Sequence, residues 1–117
     1  MMNEEMTQKL LRRFNEYVRN NSNIVFRKRN ANVHEKKGLT QQDTFTPVNC
    51  QNNGNQCTVT GTCEIYFPVN GNDNISFGQT SFNALIQYRM FHSDCEDAPN
   101  DIDFEIEEIV NNLIELR

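Results

Sequence analysis

Residues 57–69 read CTVTGTCEIYFPV, and the fold class that the sequence predicts depends on their pattern. Its odd positions are apolar or small and its even positions are mainly polar, which is the two-residue period of a β-strand with one buried face. Cys57 and Cys63 fall on the apolar face, where free cysteine commonly behaves as a small hydrophobic residue. We therefore predict a strand whose two cysteines point into the core.

The strand before this stretch is predicted from Asn53-Gly54, a strong signal for a two-residue hairpin turn. Centring the turn on these residues places Cys50 opposite Cys57. A disulfide between them is geometrically conceivable in an oxidising environment. Reduced thiols are the more typical state of four cysteines in a chain without a secretory signal.

The strands after this stretch are predicted from a second turn at residues 70–74, NGNDN. A five-residue loop there sets Phe67 opposite Phe77 and keeps the apolar residues on one face. Further along, the apolar residues move to even positions, which a bulge between Gly78 and Ser81 would explain. Residues 81–92 also match a helical period, but their mixed β-branched and aromatic content favours a strand and leaves a helix as the alternative.

Two helices flank the predicted strands. Residues 3–20 have apolar residues at helical spacing behind Asn3 as N-cap. Residues 102–114 repeat Ile, Val and Leu at helical spacing and predict a C-terminal amphipathic helix packed on the sheet. The fold class is therefore α+β in one domain, residues 1–117: N-terminal helix, short strand at 24–26, antiparallel β-meander of three strands, and C-terminal helix.

Charge and loop length give the first functional indications. Residues 1–37 hold nine of the eleven Lys and Arg against four acids, whereas residues 38–117 hold two against twelve. Such asymmetry suits contact between copies or contact with nucleic acid at one end. The polar segment at about 30–43 has no clear period and predicts a long loop, of a kind that is often functional or ordered by a partner.

Three groups of side chains are candidates for interaction. The first is the basic set around the short strand, the second lies on the outer face of the meander, and the third is an acidic connector. Apolar residues ringed by polar ones on a sheet face are typical of a partner surface. The candidates are Arg27, Lys28, Arg29, Lys36 and Lys37; then Phe45, Tyr66, Leu85 and Phe91; then Asp94, Glu96 and Asp97.

The sequence carries no recognisable catalytic or metal-binding pattern. The cysteine spacing matches none of the usual zinc motifs, and Cys63 lies roughly 20 Å along the strand from Cys57. His92, Asp94 and Cys95 are close in sequence, but chain neighbours rarely meet in the geometry that a nucleophile and a base require. Phosphate loops and the HExxH and GxSxG motifs do not occur. We therefore expect that the protein is not an enzyme and that it binds no cofactor and no metal.

These features predict a non-enzymatic structural subunit of a ring-like homo-oligomer. The order of elements is similar to that of small α+β ring proteins of phage necks and tails, such as tail terminators and connectors, at the level of the fold. The basic loop of one copy would contact the acidic loop and C-terminal helix of the next. The expected partners are copies of the chain and neighbouring structural proteins.

The alternative is a small intracellular regulator or inhibitor that binds a protein or a nucleic acid through the basic N-terminal segment. Nucleic acid is possible but less favoured, because the net charge is -5 and few aromatic residues interleave with the basic ones. The start of the chain, MMNEEMTQKLL, does not resemble a signal peptide, and no long apolar run occurs. We therefore expect an intracellular, cytoplasmic protein that is not associated with a membrane. If the phage analogy holds, the protein is incorporated into a virion.

Overall fold

A computed structural model describes residues 2–69, 73–92 and 102–117. It contains one helix, a large sheet, a small two-stranded sheet and a short 3-10 turn in these ranges. The elements are α1 (Glu4–Arg19), β1 (Val25–Arg29), β2 (Val33–Lys37), β3 (Thr44–Asn53), β4 (Gln56–Glu64), β5 (Tyr66–Pro68), β6 (Asn74–Ser76), β7 (Thr80–His92), β8 (Ile102–Ile109), the 3-10 turn (Val110–Asn112) and β9 (Leu113–Leu116).

The large sheet is mixed, and it places β1 beside the C-terminal strand β9. Its strands lie in the order β2, β1, β9, β7, β4, β3, and β8 also pairs with β7. Among the strand pairs of the described residues, β1 and β9 are parallel and the other pairs of this sheet are antiparallel. Because β8 pairs with the end of β7 and β9 pairs with its beginning, the C-terminal segment runs along one edge of β7.

The core lies between the large sheet and α1. Phe45 stacks on Phe82 with ring centroids 4.4 Å apart, and Phe14 of α1 lies 5.9 Å from Phe45. At the other end of the same face, the β5–β6 pair covers β2, where the ring of His34 lies 5.9 Å from that of Phe67. We call the face covered by α1 and β5–β6 the inner face.

The N-terminal helix is confirmed. The Asn3 side chain accepts a hydrogen bond from the Met6 N–H at 2.8 Å, as an N-cap should. Glu4 and Glu5 occupy the first turn, where their charge complements the positive end of the helix. The strand interpretation of residues 81–92 is also confirmed, because they lie within β7.

The predicted C-terminal helix is wrong, since its residues form β8, the 3-10 turn and β9. The buried side chains are at even positions up to Ile106, but an extra residue opposite Gln87–Tyr88 shifts the pairing. Asn111 and Asn112 then adopt positive φ angles of 61° and 50° in the turn before β9. These two interruptions give buried strand residues the spacing of a helix, which explains the error.

The sheet is also larger than the predicted three-stranded meander. Strand β2 lies inside the segment at 30–43 that was predicted to be a long polar loop, and it pairs with β1. The hairpin between β3 and β4 turns at Gly54-Asn55 rather than Asn53-Gly54. Gly54 has φ +74°, so glycine occupies the first turn position, as in a type II′ turn.

The changed turn alters the predicted pairings. Cys50 faces Val59, and Cys57 faces Asn52, so the two cysteines are not directly opposite. In the small sheet Phe67 pairs with Ile75 rather than with Phe77. The ring centroids of Phe67 and Phe77 are nevertheless 6.1 Å apart.

Candidate protein interface

The face of the large sheet that points away from α1 forms a broad surface across six strands. Side chains alternate along each strand, so the registers determine which of them share this face. Its residues include Val25, Arg27, Glu35, Thr58, Thr60, Thr62, Asn83, Leu85, Leu113 and Glu115. We call this surface the open face, because in the described ranges α1 and the β5–β6 pair both lie on the inner face.

A shallow hollow of about 260 Å³ lies near the middle of the open face. Its apolar part is formed by Leu85 of β7, Val110 of the 3-10 turn and Leu113 of β9, with Thr58 and Asn83 beside them. Leu85 is 37% exposed, which is high for a leucine on a strand in the middle of a sheet. The hollow is thus an apolar patch surrounded by hydroxyl, amide and charged groups.

Charged residues of the open face are paired within the chain. The guanidinium of Arg27 lies 2.8 Å from Glu35 and 3.5 Å from Glu115, and Arg29 lies 4.0 Å from Glu115. Hydrogen bonding to Glu35 is the main cause that raises the pKa of Arg27. Because neighbouring strands supply its counter-charges, Arg27 does not present a free cation on the described part of this face, whereas Arg29 is 62% exposed and lies at the limit of ion-pair distance from Glu115.

The predicted basic set is divided between the two faces. Lys28 points to the inner face, where it donates to the main-chain oxygen of Arg117 and lies 5.9 Å from the centroid of the Phe77 ring. Lys36 is buried against Asp43. Lys37 is exposed on the edge strand β2. The sheet therefore does not bring the five basic residues together.

The prediction that Phe45 lies on the outer face of the sheet is wrong, because it is buried among the core rings. The reason is a bulge between Pro47 and Asn49, which reverses the parity of β3, so that Phe45 pairs with the inward-facing Cys63. In the sequence this bulge shows only as a change of the apolar residues from odd positions, at Phe45 and Pro47, to even positions, at Val48 and Cys50.

The remaining predicted residues are dispersed. Leu85 lies on the open face as expected, whereas Tyr66 belongs to the small sheet. Phe91 lies near the far end of β7, with the Arg89 guanidinium carbon 5.2 Å from its ring centroid. Asp94, Glu96 and Asp97 lie outside the described residues. Val110 and Leu113 of the hollow were missed, because their spacing was assigned to a helix.

A larger cleft, of about 560 Å³, lies between the second half of α1 and β8. Arg13 spans it and donates to both carboxylate oxygens of Asp103, at 3.0 and 2.8 Å. These hydrogen bonds raise the pKa of Arg13 and lower that of Asp103. Glu16 and Glu105 are paired with Arg13 and Arg89. The charged groups thus tie the helix to the sheet.

The described residues include no cluster of three or more His, Cys, Asp and Glu side chains placed to hold a metal ion. Cys57 and Cys63 point into the core, as predicted, and burial raises the pKa of the Cys63 thiol to about 12. Within the same ranges no helix has the length and apolar character needed to cross a membrane. Comparison with protein-family models, curated proteins and solved structures gave no significant match.

Proposed function

We propose that the chain is a non-enzymatic subunit of a homo-oligomer whose copies associate through the open face. The observation that carries this proposal is the exposed Leu85 beside Val110 and Leu113, in a hollow on a sheet face that no described element covers. Antiparallel sheets commonly leave one face in water, but the side chains on such a face are usually polar. An apolar patch with a polar rim indicates a protein contact.

A second copy is a suitable partner because the open face can pair with itself. In a two-fold contact the same surface belongs to both copies, and two sheets pack face to face about 10 Å apart. Leu85 of one copy can then enter the hollow of the other. Thr58, Thr60 and Thr62 supply hydroxyl groups that both donate and accept, so that they suit either partner.

Association through the open face also agrees better with the positions of the charged residues than the predicted head-to-tail ring does. Arg27 is paired with Glu35 inside one copy, which leaves less free charge on the open face for a neighbouring copy or for nucleic acid. The analogy with phage neck and tail proteins required two flanking helices, and the second of these is replaced by β8 and β9. We therefore retain the homo-oligomer without the support of that analogy.

Inserting a charge into the hollow tests the proposal. In a homo-oligomer that uses the open face, Leu85→Arg places an unpaired guanidinium at the contact and reduces the solution mass to that of one chain. Met90→Arg is the matched control, since Met90 lies on the same strand, is 53% exposed and is outside the hollow. It should keep the mass of the unmodified protein.

The thermal midpoints of the two variants, measured by circular dichroism, show whether each variant is folded. If Leu85→Arg is folded and keeps the mass of the unmodified oligomer, the open face is not the contact. If both variants and the unmodified protein have the mass of one chain, the homo-oligomer itself is rejected.

A further inference from the structure

Two cysteines lie together on the inner face, on the opposite side of the sheet from the open face. Cys50 of β3 pairs with Val59, and Cys57 of β4 pairs with Asn52. The two cysteines therefore occupy diagonal positions on neighbouring strands and share the face on which Val59 is buried. Diagonal neighbours are close enough for their side chains to interact.

The two thiols differ in access to solvent. Cys57 is fully buried, whereas Cys50 is half-buried and lines a cavity of about 530 Å³ together with Met2 and Thr7. The other lining residues are Asn49, Gln51 and Asn52. A small molecule that enters this cavity meets Cys50 first and finds Cys57 behind it.

Hydrogen bonding separates the acidities of the two thiols. Hydrogen bonds involving Cys57 and, to a smaller extent, Thr7 lower the pKa of Cys50 to about 7, against the opposing effect of burial. The hydrogen bond to Cys50 and burial raise the pKa of Cys57. Of the two thiols, Cys50 is therefore the one that ionises more readily. A thiol with a lowered pKa in an accessible position is a nucleophile at neutral pH.

We infer that Cys50 and Cys57 form a redox-active dithiol that exchanges with low-molecular-weight disulfides, with Cys50 as the attacking residue and Cys57 as the resolving residue. This function does not depend on the proposed assembly, because Cys50 faces α1 rather than the open face.

The exchange has two steps. The Cys50 thiolate attacks one sulfur of the small disulfide, forms a mixed disulfide and releases one small thiolate. Cys57 then gives its proton to the released thiolate and attacks the Cys50 sulfur, and this step releases the second small thiolate, which takes a proton from water. In total, two protein thiols are oxidised to one disulfide, and one small disulfide is reduced to two thiols.

The two strands need to move only a little to form the Cys50–Cys57 disulfide. Diagonal neighbours are typically about 7–8 Å apart, whereas the Cα atoms of a disulfide are usually about 4.4–6.8 Å apart. The strands must therefore approach by about 1 Å. Among the described residues, strand β3 lies at the edge of the sheet and pairs only with β4, and it has a bulge between Pro47 and Asn49. An internal disulfide formed this way should be readily reduced, since strain raises its reduction potential.

The test is incubation of the full chain with glutathione disulfide, followed by mass spectrometry of the intact protein and of its peptides. Cys95→Ser is present in every sample, because Cys95 lies outside the described residues. We expect the internal Cys50–Cys57 disulfide, seen as a loss of two hydrogen atoms without a glutathione adduct. Excess reduced glutathione should reverse it.

Variants separate the two roles. Cys57→Ser should accumulate glutathione on Cys50, Cys50→Ser should react at neither position, and Cys63→Ser should behave like the parent protein. If the buried hydroxyl unfolds Cys57→Ser, Cys57→Ala takes its place. The inference is overturned if Cys50 stays reduced, or if the parent protein stops at a stable glutathione adduct on Cys50.

Discussion

The ammonium nitrogen of Lys36 lies 2.6 Å from Oδ2 of Asp43, with only 8% of one side chain and none of the other exposed. Asp43 also accepts hydrogen bonds from the N–H groups of Thr40 and Tyr66, each at 2.8 Å. Lys36 donates to the main-chain oxygen of Tyr66 at 2.9 Å. This network joins β2, the segment before β3 and β5, and explains how so polar a stretch is ordered.

Removing one member of this pair should be strongly destabilising. Asp43→Asn leaves a buried ammonium without its counter-charge, and we expect a loss of about 3–5 kcal/mol in the free energy of unfolding. Urea denaturation at neutral pH measures it. The double replacement Lys36→Met with Asp43→Leu should recover most of this loss. A loss below about 1 kcal/mol for Asp43→Asn would mean that the pair behaves like a surface salt bridge.

The same carboxylate should make stability depend on pH. Burial opposes its ionisation, but hydrogen bonds from Lys36, Thr40 and Tyr66 outweigh burial and lower the pKa of Asp43. A lowered pKa in the folded state means that the carboxylate stabilises the protein above its unfolded pKa of about 4 and loses this effect as the pH falls further. The stability difference between the parent and Asp43→Asn should therefore shrink below about pH 4. A difference that stays constant from pH 7 to pH 3 would contradict this interpretation.

Gly61 of β4 should tolerate no side chain. A Cβ atom at this position would lie 2.2 Å from the Thr46 oxygen and 2.8 Å from both Phe82 and the Pro47 Cα. Two of these contacts are with backbone atoms, so we expect Gly61→Ala to cost about 1–3 kcal/mol or more of unfolding free energy. Chemical denaturation gives the value.

Gly54→Ala is the control for Gly61→Ala, because it has free space around it and only its positive φ angle opposes the change. That control should cost about 1–2 kcal/mol. If Gly61→Ala proves as stable as the parent protein, the β3 bulge does not pass as close to β4 as described.

Phe45 and Leu85 should respond in opposite ways to truncation. Phe45 lies in the ring cluster of the core, so Phe45→Ala should cost about 3–5 kcal/mol of unfolding free energy. Leu85→Ala removes a partly exposed side chain and should change the stability of a single folded chain little, while weakening association. Thermal unfolding and concentration-dependent sedimentation separate these effects. Equal losses of stability would contradict the placement of the two residues on opposite faces.

The elements that the sequence predicts correctly are those with a clear local pattern. The Asn3 cap and the apolar stripe define α1, and strict alternation defines β4. The C-terminal strands were misread because one extra residue opposite β7 and two asparagines in the turn before β9 imitate helical spacing. Strand β2 was missed because its inward-facing residues include His34 and Lys36, whose burial depends on partners far along the chain.

The candidate site was predictable only in part. Leu85 was identified from its outward parity, whereas Leu113 joins it only through the pairing of β9 with both β1 and β7. That arrangement brings the C-terminal strand into the middle of the sheet, and no local pattern specifies it.

We propose that copies of this chain associate through the open face. The solution mass, measured by light scattering behind a sizing column at low and high salt, tests this association. We expect a discrete multimer under both conditions, because the contact centres on an apolar hollow and Arg27 is already paired. A mass of one chain at both salt concentrations would contradict the claim.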